Sequence, residues 1–151
     1  MTKLFFRYRL EAVKKKSRWE ADLARQDLMQ ATRLVDQAKA QSDAAEDALH
    51  AAEENARRIL EAGAGFDPAA YTSMLAYLES QRQVLDRERD TLRRSQRVQQ
   101  QALAHYQHMD RQCQVLDKHE SRKHEQAVEA HLRQWQREAD EMCLLRWKHE
   151  E

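Results

Sequence analysis

From Ala24 to Ile59 the apolar positions fall at alternating steps of four and three: Ala24, Leu28, Ala31, Val35, Ala38, Ser42, Ala45, Leu49, Ala52, Ala56 and Ile59. This is a seven-residue period with one polar break at Ser42, and it predicts a helix carrying a coiled-coil seam. One register position is Ala at 24, 31, 38, 45 and 52, small enough for a second helix backbone to approach closely. Backwards, Phe6, Leu10, Val13, Ser17 and Ala21 continue the stripe. Two successive steps of four around Ser17 and Ala21 predict a stutter there. A second stripe runs through Tyr71, Met74, Leu78, Gln81, Leu85, Glu88, Leu92, Ser95, Gln99, Ala102, Tyr106, Met109, Cys113 and Leu116, more polar than the first. Asp117 to Gln126 then has no aliphatic or aromatic hydrophobe, after which Val128, Leu132, Trp135, Ala139 and Met142 resume a stripe.

Between the two patterns, Ala62-Gly63-Ala64-Gly65-Phe66-Asp67-Pro68 holds both glycines and the single proline of the chain. Gly63 suits a left-handed C-cap, and Asp67-Pro68 an N-cap followed by proline at the first helical position. The expected fold is all-α: a single two-helix antiparallel coiled-coil hairpin over 1–151, with helices at about 5–62 and 69–149 and a turn at 63–68. At 1.5 Å per residue the arms are ~87 and ~120 Å long, and folding about Gly65 places residue i opposite residue ~132 − i. About twenty carboxyl-terminal residues then overhang without a partner, exposing Leu132, Trp135, Met142, Leu144, Leu145 and Trp147. An uncovered stripe of this kind marks a docking surface, either for another protein or for a second copy of the helix.

Composition supports this architecture. The 151 residues are 34% charged and 41% hydrophobic, with two Gly and one Pro, which leaves too few punctuating residues for a sheet or a many-looped globule. Lys plus Arg equals Asp plus Glu at 26 each, so no net charge draws the chain to nucleic acid or to an anionic membrane. The balance is uneven locally. Residues 1–20 carry Lys3, Arg7, Arg9, Lys14, Lys15, Lys16 and Arg18 against Glu11 and Glu20, making the amino-terminal end basic. No apolar run has the length of a membrane span, and Leu4-Phe5-Phe6 is too short for a signal-peptide core, so a cytosolic chain is expected. A mitochondrial presequence is disfavoured because the seam begins almost at once.

Candidate chemistry is sparse. Cys113 and Cys143 sit ~45 Å apart on one helix and cannot bridge within a chain. His105 and His108 share a helix face, and His119 and His124 lie five apart. Without a convergent third ligand they read as solvated histidines, and position 123 is Lys where a zincin helix needs its second histidine. The arginines from Arg82 to Arg97 are interrupted by Asp86, Glu88 and Asp90, as on a solvated helix. There is no phosphate-binding loop and no pocket for catalysis, so neither an enzyme nor a cofactor or metal protein is expected.

The segments Phe5-Phe6-Arg7-Tyr8-Arg9-Leu10-Glu11-Ala12-Val13, Tyr71-Thr72-Ser73-Met74-Leu75-Ala76-Tyr77-Leu78-Glu79 and Glu138-Ala139-Asp140-Glu141-Met142-Cys143-Leu144-Leu145-Arg146-Trp147, in order around one turn, resemble the FliJ/SctO family of type III export stalk proteins. The resemblance covers nearly the whole length and includes both flagellar and injectisome members, the carboxyl end being closer to the latter. It implies a non-catalytic hairpin similar to the coiled coil of the rotary ATPase gamma subunit, cytoplasmic and peripheral to the inner-membrane export apparatus. The paired helix ends would enter a hexameric export ATPase through Phe5, Phe6, Tyr8, Leu10, Leu132, Trp135, Met142, Leu145 and Trp147. The turn would face the membrane export gate protein through Tyr71, Met74 and Leu78, with Leu75 beside them; some members have an aromatic where Met74 stands. Met74 and Leu78 read equally as seam residues closing the hairpin. Export chaperones are a further implied partner, and a monomer is expected. The alternative is a homodimeric coiled-coil scaffold with no ATPase partner, two chains covering each other's seams.

Overall fold

In the computed structural model, which describes residues 6–61, 65 and 67–149 apart from the side chains at 145, 146, 148 and 149, the chain forms an all-α, two-helix antiparallel hairpin. Helix α1 spans Glu11–Glu61 (51 residues) and α2 spans Pro68–His149 (82 residues). The Asp67 carboxylate accepts a hydrogen bond from the Ala69 amide at 3.0 Å, and the Tyr71 amide donates to the Asp67 carbonyl at 3.0 Å. Asp67 therefore caps α2 and Pro68 is its first helical residue, as the cap chemistry predicts. Gly63 lies outside the described residues. The chain divides into two compact units, Leu23–Tyr106 and 1–22 with 107–151.

In the unit 23–106, alanine makes the core. Ala24, Ala31, Ala38, Ala45, Ala52 and Ala56 are buried with Ser42, and Leu85 of α2 is 5% exposed. Leu28, Val35 and Leu49 of α1 and Met74, Leu78, Gln81, Glu88, Leu92, Ser95, Gln99 and Ala102 of α2 are half-buried. The expected seam is thus the covered face of both helices, except at its turn end, where Ile59 (64%) and Tyr71 (37%) are exposed. Gln99 Nε2 donates to Thr32 Oγ1 at 3.1 Å, the pairing expected from a fold about Gly65.

With the seam lettered a and d, the positions just outside it, e and g, face their counterparts on the other helix. On the e side, Glu46 meets Arg89 at 3.2 Å and Glu53 meets Arg82 at 3.4 Å. These exposed pairs add little energy, but with the glutamates on α1 and the arginines on α2 they favour this alignment over a shifted one.

In the other unit, Ser17 Oγ lies 3.2 Å from Cys113 Sγ, and half-buried Met109, Cys113 and Leu116 carry the α2 stripe to its end. Here the expected course of α1 changes. The stripe was expected to pass through Leu10 and Val13, but these are 37% and 51% exposed. Lys14 takes the inner position instead, with its side chain 12% exposed. Lys14, Ser17, Ala21 and Ala24 keep the alternating spacing, so the heptad runs back without the expected stutter.

Nor does α1 begin near Phe5. Phe5 lies outside the described residues, and Phe6 to Leu10 are not helical. Tyr8 explains the difference. A helix continued back from Ser17 would place Tyr8, nine residues earlier, on the face opposite the seam. By leaving the helix the chain turns Tyr8 inward, where it is 7% exposed. The Glu11 amide then bonds the Tyr8 carbonyl at 3.3 Å, and the Lys14 amide the Leu10 carbonyl at 2.9 Å.

Candidate functional site

Two surfaces collect the residues singled out above. At the turn end, a groove of about 420 Å³ is lined by Ala56, Leu60, Tyr71, Met74, Leu75 and Leu78, with Glu53, Arg57 and Glu61 at its rim. The four residues expected to face an export gate are therefore brought together on one groove. They differ in duty: Met74 and Leu78 are half-buried seam residues, whereas Leu75 is 47% exposed and is flanked by exposed Leu60. Both readings of Met74 and Leu78 remain compatible with this position.

The second surface is the carboxyl end of α2. Every residue from 132 to 144 is exposed, including Leu132, Trp135 (65%), Met142 and Leu144, and Trp147 is exposed at 78%. The side chain of Leu145 lies outside the described ones. At 3.6 residues per turn, Leu132, Trp135, Ala139 and Met142 form a single stripe, with Leu144 and Trp147 off its edge. Intrahelical pairs, Arg133 with Glu129 at 3.3 Å and Gln134 with Glu138 at 3.0 Å, decorate the remaining surface.

The lead into α1 is docked to α2 rather than presented. The Tyr8 hydroxyl is 2.9 Å from His119 Nδ1 and 3.5 Å from the Leu116 carbonyl, and the Phe6 ring stands edge-on to His124 at 5.2 Å between centroids. Tyr8 is thus buried against α2, while Phe6 is half-buried and Leu10 more open. The Lys14 ammonium sits between Glu120 and Asp117, 2.9 Å from the latter, and Arg18 reaches Asp117 at 3.1 Å. The hydrogen bonds that Lys14 donates to the carboxylates of Glu120 and then Asp117 raise its pKa above the ordinary value, and the Lys14 hydrogen bond holds Asp117 below the usual carboxylate range.

This arrangement accounts for the polar stretch 117–126. Asp117, His119, Glu120 and His124 are the receptors for Lys14, Arg18, Tyr8 and Phe6. It also alters the reading of the basic end. Lys14 and Arg18 are spent on α2, Lys15 faces Glu11 and Lys16 faces Glu20, each at 3.6 Å. Arg7 and Arg9 alone of the described cations before residue 20 have no ion pair. His108 Nε2 lies 2.9 Å from Gln112 Nε2 on its own helix, and among the described residues no three His, Cys, Asp or Glu side chains gather as a metal site. No helix among the described residues is long and apolar enough to cross a membrane.

No family model matches the chain, and a comparison with curated proteins finds no match. Among solved structures, the hairpin is similar to CT670 from Chlamydia trachomatis, described as a candidate YscO homologue. The TM-score is 0.60 at 17% sequence identity, over 93% of this chain and 94% of that one. The class defined by fold and surfaces is thus a two-helix hairpin with an apolar overhang. The particular likeness, to a protein described as a YscO homologue, shows that this fold extends over nearly the whole of both chains.

Proposed function

We propose that the protein is a non-catalytic stalk component of a type III export apparatus, with the overhanging end of α2 docking into the hexameric export ATPase and the turn-end groove meeting the membrane export gate protein. The observation that carries this reading is the bare stripe of Leu132, Trp135, Ala139 and Met142 with Trp147 beside it, where two indoles stand in solvent beyond the paired part of the hairpin. Exposed tryptophans of this kind are characteristic anchors of protein interfaces. The contact set is Phe6, Leu10, Leu132, Trp135, Met142 and Trp147, together with Phe5 and Leu145, while Tyr8 holds the lead in place behind them. At the other end, Leu75 and Tyr71 supply the open contacts and Met74 and Leu78 the floor. The site of action is the cytoplasmic face of the export apparatus, and export chaperones are a further class of partner.

The alternative, a homodimer in which two chains cover each other's seams, is weakened by the filled seam of the hairpin: α1 and α2 already cover each other through Ala31, Ala38, Ala45 and Leu85. A pull-down of purified export ATPase and gate protein by the full chain tests the proposal. Retention of the ATPase by the intact chain, and its loss when Trp135 and Trp147 are both changed to Ala, supports it. Equal retention by both chains contradicts it.

A further inference from the structure

The unit 23–106 has two chemically unlike flanks. On the e flank, Glu46–Arg89 and Glu53–Arg82 bridge the helices. The central part of the g flank is built from Leu34 and Ala48 on α1 and from Tyr77, Val84 and Val98 on α2, with the neutral Gln41 and Thr91 between them, while Asp27, Asn55 and His105 hold its outer positions. Leu34 is 48% exposed, Val84 41%, Val98 52% and Tyr77 55%. Positions flanking a two-stranded seam are ordinarily charged, because they face water and set pairing through ion pairs. An apolar flank instead describes one side of a bundle from which a helix is missing.

The charge at its border says what fits. One step further out, α1 presents Gln30, Gln37, Ala44 and Ala51, and α2 presents Ser80, Arg87, Arg94 and Gln101. Along the central stretch of this flank and border, 30–51 on α1 and 77–101 on α2, the charges are Arg87 and Arg94, one heptad apart, and neither makes an ion pair among the described residues; Asp27 and Arg58 lie beyond it, the latter paired with Glu54. A second copy centred on this stretch would bring no carboxylate to either arginine, and a two-fold arrangement there would set arginine against arginine. The exposed alanines 44, 48 and 51 permit close approach by another helix.

We propose that this flank is the docking face for an amphipathic helix of a partner protein whose apolar stripe is bordered by Asp or Glu. The helix packs against Leu34, Ala48, Val84 and Val98, and its acidic border pairs with Arg87 and Arg94. This surface is separate from both ends invoked above and does not depend on the export reading.

The test uses the full chain and three labelled amphipathic peptides of about 21 residues, ~30 Å as a helix. Two share a Leu/Ala stripe and carry Glu or Lys along its border, and the third carries Glu with the Leu positions scrambled. Fluorescence anisotropy is expected to show binding of the Glu peptide at least ~10-fold tighter than either of the others, weakening with salt. Arg87→Glu with Arg94→Glu, and separately Ala48→Glu, should each weaken it by ~10-fold or more, while Glu46→Gln on the opposite flank leaves it unchanged. All these side chains are exposed, and circular dichroism confirms that each variant is folded. The proposal is overturned if the Glu peptide does not bind, if the Lys peptide binds as well, or if the arginine reversals have no effect. It is equally overturned if Ala48→Glu abolishes a dimer seen in sedimentation, which makes the occupant a second copy, or if it abolishes binding to anionic vesicles while peptide binding persists, which makes it a lipid surface.

Discussion

The Tyr8 hydroxyl stands 2.9 Å from Nδ1 of His119, a residue 111 positions away in the chain. Together with the edge-on contact of Phe6 and His124, it fixes the non-helical lead of α1 against α2. Tyr8→Phe should remove the polar contact alone and cost about 0.5–1.5 kcal/mol. Tyr8→Ala also removes the buried ring and should cost several times more, about 3 kcal/mol. Thermal unfolding measures both, and trypsin cleavage after Arg7 and Arg9 should accelerate in Tyr8→Ala at temperatures where the helices remain intact. Unchanged cleavage would mean that the tyrosine does not hold the lead.

The Lys14–Asp117 contact has opposite signatures at the two ends of the pH scale. Asp117 is depressed in the folded chain, so its contribution is present above the ordinary carboxylate value of 3.8 and is lost as pH falls through its lower folded value. Lys14 is raised, so its contribution is present below 10.5 and is lost as pH rises through its higher folded value. Between these limits the pair should be insensitive to pH. Chemical denaturation against pH should show Asp117→Asn flattening the acid limb and Lys14→Met flattening the alkaline limb.

The alanine seam should resist enlargement. Ala38, 3% exposed, lies where α2 comes close, and Ala38→Leu should destabilise by about 1–3 kcal/mol. Ala44→Leu on the open border of the g flank should stay within about 0.5 kcal/mol. Leu85→Ala, at the best-covered leucine of α2, should cost about 2–4 kcal/mol. Urea titrations compare the three directly.

A double-mutant cycle tests whether the e flank sets alignment. Glu46→Arg or Arg89→Glu alone places like charges opposite each other and should cost a few tenths to about 1 kcal/mol. Combining them restores an opposite-charge pair, and the double variant should recover most of the loss.

Sequence reading carried furthest where periodicity and cap chemistry agree. The α2 stripe from Met74 to Leu116 and the α1 stripe from Ala24 to Ala56 are the covered faces, and Asp67-Pro68 opens α2. It failed before Ser17, where the hydrophobic Leu10 and Val13 drew the stripe onto the wrong phase. The true inner residue is a lysine whose charge is answered by Asp117 and Glu120, and polar partners carry no hydrophobic period. His119 and His124 are exposed as expected, but their contacts with Tyr8 and Phe6 left no mark in the sequence, since an imidazole that receives a tyrosine or a phenylalanine looks no different there from one that faces water alone. The e-flank pairs were present in the sequence as Glu46, Glu53, Arg82 and Arg89, acids and bases each spaced by seven. Reading the seam alone passed over them. At the open end the bare indoles follow directly from the unequal arms, whereas the burial of Tyr8 required the unwound lead that the periodicity did not indicate.

The central claim is that Trp135 and Trp147 face a partner rather than the interior of the molecule. The most direct measurement pairs the melting temperature of the Trp135→Ala/Trp147→Ala chain with the hydrolysis rate of the purified export ATPase in its presence. Because both side chains are mostly exposed, stability should change by no more than about 0.5 kcal/mol per site, while stimulation of the ATPase by the intact chain disappears in the variant. A large fall in melting temperature, or stimulation equal to that of the intact chain, would contradict the account.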